Sequence, residues 1–174
     1  SGKSMIVPCS AAAERIGRIL KRLGIPIKVE KVGVDIGVDT SSSSARATAK
    51  QRERLDAAAK KARRCATLSK IDAKARRIAV TGVQPTQGYG FTAVGMAPTS
   101  ISKAKGNIAR STGLMAAGTC ATSAIRWAFR RGRFVNDSAD PRVRIPAEQI
   151  KAWKGIWTRA TEDQKQRITN AWTP

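Results

Sequence analysis

An alternating stretch, Lys31–Asp39, sets the tightest limit on the fold. Its apolar residues occupy every second position, at Val32, Val34, Ile36 and Val38. The positions between them hold Gly33, Asp35, Gly37 and Asp39. A period of two with β-branched side chains predicts a strand that buries its apolar face. The glycines on the open face would let another backbone, or a ligand, approach closely.

A basic, alanine-rich segment follows a flexible link at Thr40–Ser44. We predict a helix from Ser44 to about Ser69 whose narrow apolar stripe comprises Ala45, Ala49, Arg52, Leu55, Ala59, Ala62 and Ala66. A second stripe carries Arg46, Lys50, Arg54, Lys61 and Arg64. Residues 44–77 contain twelve Lys or Arg and three Asp or Glu. Charge runs are usually solvated helix faces, but ion pairs cannot balance so one-sided an excess, which favours a phosphate-tracking face.

The charge of the whole chain indicates a polyanionic partner. The 174 residues include 33 Lys or Arg, 12 Asp or Glu, and a net charge of +21. Nucleic acid is the natural counter-charge, and an acidic membrane surface is the less common one. No apolar run has the length of a membrane span, and no predicted helix has a broad apolar face opposite its lysines. We therefore expect nucleic acid as partner and no membrane.

The residues that most enzymes use for chemistry are sparse. There is no histidine, and Cys9, Cys65 and Cys120 lack metal or redox spacing. This pattern argues against a zinc site and against histidine-dependent acid–base or nucleophilic catalysis. Cysteines without a disulfide framework predict buried thiols in a reducing compartment. We expect an intracellular, nuclear location.

The remaining elements follow from periodicity and helix caps. Lys3–Pro8 and Ile25–Glu30 are predicted strands, joined by a helix from Ser10 to Gly24. Lys31–Asp39 would continue the second strand or pair with it. Further helices are predicted at Ile71–Val83, from Thr99 or Ser100 to Ser111, at Thr119–Arg131, and as a hairpin over 146–174 after a loop at Gly132–Pro146. Gln84–Ala97 is either a loop or a glycine-tolerant helix.

The predicted fold class is α+β and predominantly helical, with a small antiparallel sheet at the N-terminal end followed by a basic helical bundle. Abundant alanine predicts a core of small residues with a few aromatic anchors. Trp153 and Trp157 share one helix face, and we expect them in the core. Stacking on nucleobases is the alternative role for these rings.

Several short motifs occur in a recognisable order. Lys3–Val7 is a lysine-containing strand, Lys31-Val32-Gly33-Val34 is a second motif, and Pro85 precedes a Tyr89-Gly90 pair. Together they resemble the region just past the catalytic core of reverse transcriptases encoded by non-LTR retrotransposons. Lys31–Val34 is similar to that family's primer grip, with Val32 where leucine is usual, and Arg46–Arg77 is similar to the first thumb helices.

The resemblance implies a domain organisation and partners. Residues 1–40 would be palm-edge strands with one helix and the grip-like strand, 41–115 a basic helical thumb, and 116–174 a C-terminal helical extension. The parent protein would be an RNA-directed DNA polymerase that requires Mg²⁺. The partners would be the template–primer duplex and the upstream palm and fingers of the same polymerase.

The family's paired catalytic aspartates would lie upstream of Ser1, so we expect this chain to be a fragment or processed product, inactive alone and without its own cofactor. Asp35 and Asp39 do not replace them. On one strand their side chains would be about 13 Å apart, whereas two-metal sites hold ions about 4 Å apart. We expect solvent-facing or capping roles for both.

The resemblance and the charge pattern together predict a nucleic-acid-binding set, with no catalytic or metal-binding residue: Lys31, Gly33, Arg46, Lys50, Arg54, Lys60, Lys61 and Arg64. The alternative is a stand-alone basic RNA- or DNA-binding or ribonucleoprotein assembly protein. If Lys3–Pro8 pairs with Lys31–Asp39 in a sheet with one uncovered apolar edge, the polymerase fragment is favoured. A capped and closed sheet favours the independent domain.

Overall fold

Helices make up most of the protein, and this confirms the predicted α+β, predominantly helical class. The structure is a computed structural model that describes residues 5–8, 11–25, 27–35, 37–41, 47–131, 134–135 and 139–172. The strands are β1 (Met5–Ile6), β2 (Lys28–Val29), β3 (Val32–Asp35), β4 (Val38–Ser41), β5 (Arg130–Arg131) and β6 (Phe134–Val135). The α-helices are α1 (Ala11–Arg22), α2 (Ala49–Ile71), α3 (Gln84–Gly88), α4 (Phe91–Val94), α5 (Pro98–Ser111), α6 (Ala121–Ala128), α7 (Pro141–Arg159) and α8 (Glu162–Trp172).

The alternating stretch forms a hairpin instead of the single predicted strand. The chain turns at Gly37, whose φ of 75° lies in the left-handed region that glycine adopts without strain. β3 and β4 therefore pair antiparallel, with Val34 opposite Asp39. β2 pairs parallel with β1, not with the hairpin. The pairing of Lys3–Pro8 with Lys31–Asp39 that would favour the polymerase fragment does not occur among the residues that the structure describes.

The hairpin buries the face opposite to the predicted one. Val32 and Val34 are 43% and 42% exposed, whereas Gly33 is buried. A Cβ atom on Gly33 would lie 2.6 Å from Val7 Cγ2 and 2.7 Å from Met5 Sδ. The glycine thus allows the hairpin to pack closely on β1 and the residues after it.

Helix α2 begins later than predicted because its cap comes from the hairpin. Ala47 and Thr48 are not helical, and the Thr48 side chain makes no capping hydrogen bond. Instead, Asp39 Oδ2 accepts a 2.7 Å hydrogen bond from the backbone N–H of Lys50. Asp39 is 6% exposed. Its expected capping role is confirmed, although the helix that it caps is distant in sequence.

The buried stripe of α2 is offset from the predicted one. Its members recur every three or four residues: Gln51, Leu55, Ala58, Ala62, Cys65 and Ser69. The prediction counted from Ala49 and so placed Arg52 in the stripe, whereas the structure buries the polar residues Gln51 and Ser69. Both are accommodated by hydrogen bonds, from Gln51 Nε2 to Gly95 O at 3.0 Å and from Ser69 Oγ to Ser111 O at 3.0 Å.

The core is built from small residues, as predicted. The main buried cluster comprises Ala58, Ala62, Cys65, Ala79, Val83, Ile108, Ala109, Ile125 and Ala139. A second cluster joins Phe91 and Met96 to Ile145 of α7. Helices α2 and α5 share the main cluster, and alanines at their contact allow the two backbones to approach closely.

The segment after α2 is irregular. The predicted helix at Ile71–Val83 is divided into a 3₁₀-helix, Ala73–Arg76, and a π-helix, Ala79–Val83. Asp72 separates the 3₁₀-helix from α2, and its carboxylate accepts a 2.8 Å hydrogen bond from Lys74 N–H. Gln84–Ala97 contains α3 and α4, so the glycine-tolerant helical alternative is the correct one for most of it.

Two predictions in the last third of the chain are wrong. The Thr119–Arg131 helix ends at Ala128, and Arg130 begins β5. Helix α7 begins at Pro141, within the predicted loop, because Asp140 caps it by accepting a 2.9 Å hydrogen bond from Arg142 N–H. The predicted helix start, Pro146, therefore lies inside α7.

Candidate nucleic-acid interface

The basic residues of α2 are distributed around its solvent side. Successive residues of a helix are rotated by about 100° around its axis. Measured from the centre of the buried stripe, Lys50, Arg54 and Lys61 therefore flank the core on one side. Lys60 and Arg64 point away from the core, and Arg63 and Lys70 flank it on the other side. The four described members of the predicted stripe, Lys50, Arg54, Lys61 and Arg64, therefore lie on one side of the helix. Arg52, Lys60, Arg63 and Lys70 extend the positive charge over the rest of the solvent-facing arc.

Three residues of the predicted set have partners within the protein. Lys50 Nζ lies 2.7 Å from Glu53 Oε2, and hydrogen bonding and attraction from Lys50 lower the pKa of Glu53. Lys61 Nζ donates a 2.8 Å hydrogen bond to Thr86 Oγ1. Arg54 donates to two backbone carbonyls, Gly37 O at 2.6 Å and Tyr89 O at 3.1 Å. These contacts assign a structural task to each side chain.

Arg54 joins the β3–β4 hairpin to the Tyr89-Gly90 turn. Its guanidinium carbon lies 4.3 Å from the centroid of the Tyr89 ring, a cation–π distance. Its two carbonyl partners belong to the turn of the β3–β4 hairpin and to the Tyr89-Gly90 turn. The β3–β4 hairpin, α2 and the Tyr89-Gly90 turn therefore meet at one arginine, although Gly37 and Tyr89 are far apart in sequence.

A second group of α2 cations faces solvent. Lys60, Arg63, Arg64 and Lys70 are exposed, and within the described part of the chain their side chains form no ion pair or hydrogen bond. We call these four residues the α2 cationic face. The two acidic residues of α2, Glu53 and Asp56, lie in the preceding turns. The second half of α2 thus presents only positive charge to solvent, over about 15 Å of helix.

The α2 cationic face includes two predicted residues and two that the prediction omitted. Lys60 and Arg64 were predicted, whereas Arg63 and Lys70 were not. The missed signal is the heptad-like spacing of Leu55, Ala58, Ala62 and Cys65, which would have placed Arg63 and Lys70 on the solvent side.

The other predicted residues lie apart from the α2 cationic face. Lys31 is exposed at the start of the hairpin and has an interaction within the protein. Gly33 is buried against Met5 and Val7, so the close approach that it permits is used inside the protein; its assignment to nucleic-acid contact is corrected on this ground. Arg46 lies outside the described residues.

The tryptophans are more exposed than predicted. Trp153 and Trp157 are each 44% exposed, and Trp127 is 72% exposed. Helix α7 buries Pro141 and Ile145, near its beginning, so its second half extends beyond the core. The expected core role of Trp153 and Trp157 is wrong, since both residues are exposed.

The cysteines divide into a buried and an exposed thiol. Cys65 is buried in the core, and burial raises the pKa of its thiol. Cys120 is exposed at the N-cap position of α6. Hydrogen bonds from the backbone N–H of Ser123, then of Thr122, lower the pKa of the Cys120 thiol to about 7. The prediction of buried thiols is therefore wrong for Cys120, and Cys9 lies outside the described residues.

Comparison of the chain with protein-family models, curated protein sequences and solved structures gave no match. Within the described ranges, no helix combines the length and apolar character of a membrane span. Among the same residues, no three acidic or cysteine side chains are grouped closely enough to hold a metal ion.

Proposed function

We propose that this chain is the nucleic-acid-holding part of a reverse transcriptase, in which the α2 cationic face contacts the sugar–phosphate backbone of a template–primer duplex. The observation that carries the proposal is the group of four exposed, unpaired cations, Lys60, Arg63, Arg64 and Lys70. When exposed cations without acidic partners bind phosphates, they displace the counterions of the nucleic acid. The release of these counterions drives binding. Contacts to phosphate position a duplex without reading its sequence.

The convergence at Arg54 supports the polymerase assignment. In the resemblance, the grip-like strand precedes the basic thumb and the Tyr-Gly pair follows it. Here the hairpin that holds the grip-like motif and the Tyr89-Gly90 turn are fixed to α2 through one guanidinium. A basic helix braced against a grip-like hairpin suits a thumb that holds a duplex beside the palm.

Exposed apolar residues near the N-terminal end suit the proposed upstream palm and fingers. Met5, Ile16, Ile19, Leu23, Val29, Val32 and Val34 are all exposed by 40% or more. Ile16 and Ile19 lie on α1, and Val32 and Val34 lie on the hairpin. Such surfaces mark contacts with another protein segment. The parent polymerase would supply the catalytic aspartates and Mg²⁺ and would act inside the nucleus.

The test is the salt dependence of duplex binding. Lys60→Gln, Arg63→Gln and Arg64→Gln together should lower the slope of log affinity against log salt by about 3, since each phosphate contact contributes about 0.9. A matched control, Lys103→Gln with Lys151→Gln and Lys154→Gln, removes equal charge from exposed positions on α5 and α7. An equal loss in both variants would show that net charge alone drives binding.

A stand-alone basic RNA- or DNA-binding protein is the second candidate. The observation that favours it is the exposure of Trp127, Trp153 and Trp157, because exposed aromatic rings stack the bases of single strands. A preference for single strands over an RNA–DNA hybrid of equal charge, lost on Trp127→Ala and Trp153→Ala, would support this candidate over the polymerase fragment.

A further inference from the structure

We propose that a basic pocket at the C-terminal end of α2 binds a phosphate monoester at the end of a nucleic-acid strand. The pocket has a volume of about 590 Å³, within the range of small-ligand sites. It forms where the 3₁₀-helix and π-helix face the end of α6. Its lining residues include Lys74, Arg76, Arg77, Thr81, Phe129 and Arg130.

Four of the lining residues are cationic, and none of the described lining residues is acidic. Lys74 and Arg77 are exposed, and their side chains form no ion pair or hydrogen bond with the described residues. Arg76 is fixed by a 3.1 Å hydrogen bond from its Nε to Thr112 O, which leaves the remaining guanidinium N–H groups as donors. The pocket thus combines the guanidinium of Arg76, which is held in place, with the flexible cationic side chains of Lys74 and Arg77.

Stabilisation of a helix end does not account for this arrangement. Cations near the last turn of α2 do interact favourably with its carbonyls, and this effect covers Lys74. It does not cover Arg130, which belongs to β5, distant in sequence from α2. Asp72 precedes the pocket, but its carboxylate accepts the backbone N–H of Lys74. Positive charge from two separate segments therefore converges on one concave site.

The walls of the pocket suit the nucleoside that carries the phosphate. Phe129, Ala128 and Val80 provide apolar surface next to the cations, and an aromatic ring can stack on a base or pack on a sugar. Val80 and Thr81 belong to the π-helix. Single π-helical turns are frequent at functional sites because they displace side chains from regular helical positions.

Charge selects a terminal phosphate over one within a continuous strand. A phosphate monoester carries about −1.5 to −2 at neutral pH and offers three acceptor oxygens, whereas an internal phosphodiester carries one charge. A pocket that holds Lys74, Arg76 and Arg77 matches the monoester better. The assignment to a strand end instead of a free nucleotide rests on the proposed function, since the α2 cationic face lies on the helix that leads to the pocket.

The experiment compares duplexes of one sequence with 5′-phosphate or 5′-hydroxyl ends by fluorescence anisotropy. The phosphate should raise affinity by about tenfold, the effect of a charged hydrogen bond. Lys74→Gln with Arg77→Gln should abolish that gain. Lys151→Gln with Lys154→Gln, which removes equal charge outside the pocket, should preserve it. Circular dichroism melting checks that both variants fold, as expected for exposed positions.

Equal affinity of the native protein for both ends would overturn the proposal, as would a phosphate gain that persists in the Lys74 and Arg77 variant. Binding of adenosine monophosphate shows whether the pocket takes its phosphate from a free nucleotide or from the end of a strand. If adenosine monophosphate binds in a Lys74- and Arg77-dependent manner while no duplex binds, the phosphate site stands. The strand end and the proposed function are then both rejected.

Discussion

Substitution of Arg54 tests whether its side chain stabilises the fold or contacts phosphate. Arg54→Ala removes hydrogen bonds of 2.6 Å to Gly37 O and 3.1 Å to Tyr89 O, and a cation–π contact of 4.3 Å. All three contacts connect α2 to segments that are remote in sequence. Their loss weakens the attachment of the β3–β4 hairpin and the Tyr89-Gly90 turn to the helix, which the Asp39 cap still holds. We expect a loss of stability with little effect on duplex binding.

The magnitude follows from the three contacts. A hydrogen bond from a charged group contributes about 1.5 to 3 kcal/mol to stability. Because solvent weakens interactions of a partly exposed charge, we assign about 1 kcal/mol to each of the two Arg54 bonds. An exposed cation–π contact adds about 0.5 kcal/mol. Arg54→Ala should therefore lower the free energy of unfolding by about 2 to 3 kcal/mol. Arg54→Lys should recover only part of this, because lysine lacks the planar fork that reaches two carbonyls.

The assay is urea unfolding followed by circular dichroism, together with the salt slope of duplex binding. Arg52→Ala is the control on the same helix, since Arg52 is exposed and its side chain has no partner among the described residues; its effect should be under about 0.5 kcal/mol. The reasoning is refuted if Arg54→Ala leaves the free energy of unfolding unchanged and lowers the salt slope by about 0.9, the effect of one lost phosphate contact.

Two further predictions concern the core and the exposed thiol. Lys105 Nζ and Asp140 Oδ2 form a buried ion pair at 3.0 Å, so Asp140→Asn should lower the free energy of unfolding by about 3 kcal/mol. Adding Lys105→Met should restore most of this loss. An Asp140→Asn effect under about 0.5 kcal/mol would contradict the prediction. The Cys120 thiol, with its pKa lowered to about 7, is more ionised above that pH, so its alkylation by iodoacetamide should rise with a midpoint near pH 7. Cys65, whose pKa burial raises, should react only on unfolding; a Cys120 midpoint near that of a free cysteine, about 8.5, would contradict the assignment.

Local sequence patterns predicted the elements that depend on local interactions. The basic helix at α2, the helix α5 and the helical character of the C-terminal region all follow from the periodicity of their residues. Small-residue packing in the core was also predictable, because alanine dominates the buried positions. These features depend on neighbours within a few residues, which a sequence displays directly.

Alternation alone could not distinguish a strand from a hairpin in Lys31–Asp39. Apolar residues occupy every second position both before and after the turn at Gly37. One continuous strand and a hairpin therefore have the same sequence pattern. The buried face was also unpredictable, since Gly33 is buried only because Met5 and Val7 pack on it. A side chain on a small sheet is buried by whichever segment packs against it, and that segment is remote in sequence.

The positive charge and its concentration between residues 44 and 77 were decided by the sequence alone, since formal charge does not depend on the fold. Which of those charges face solvent was decided by tertiary structure. Arg54 and Lys61 are next to carbonyl and hydroxyl oxygens of distant segments, whereas Arg63 and Arg64 have no such neighbour among the described residues. A cation's availability depends on the atoms around it in space, and packing of the whole chain supplies those atoms.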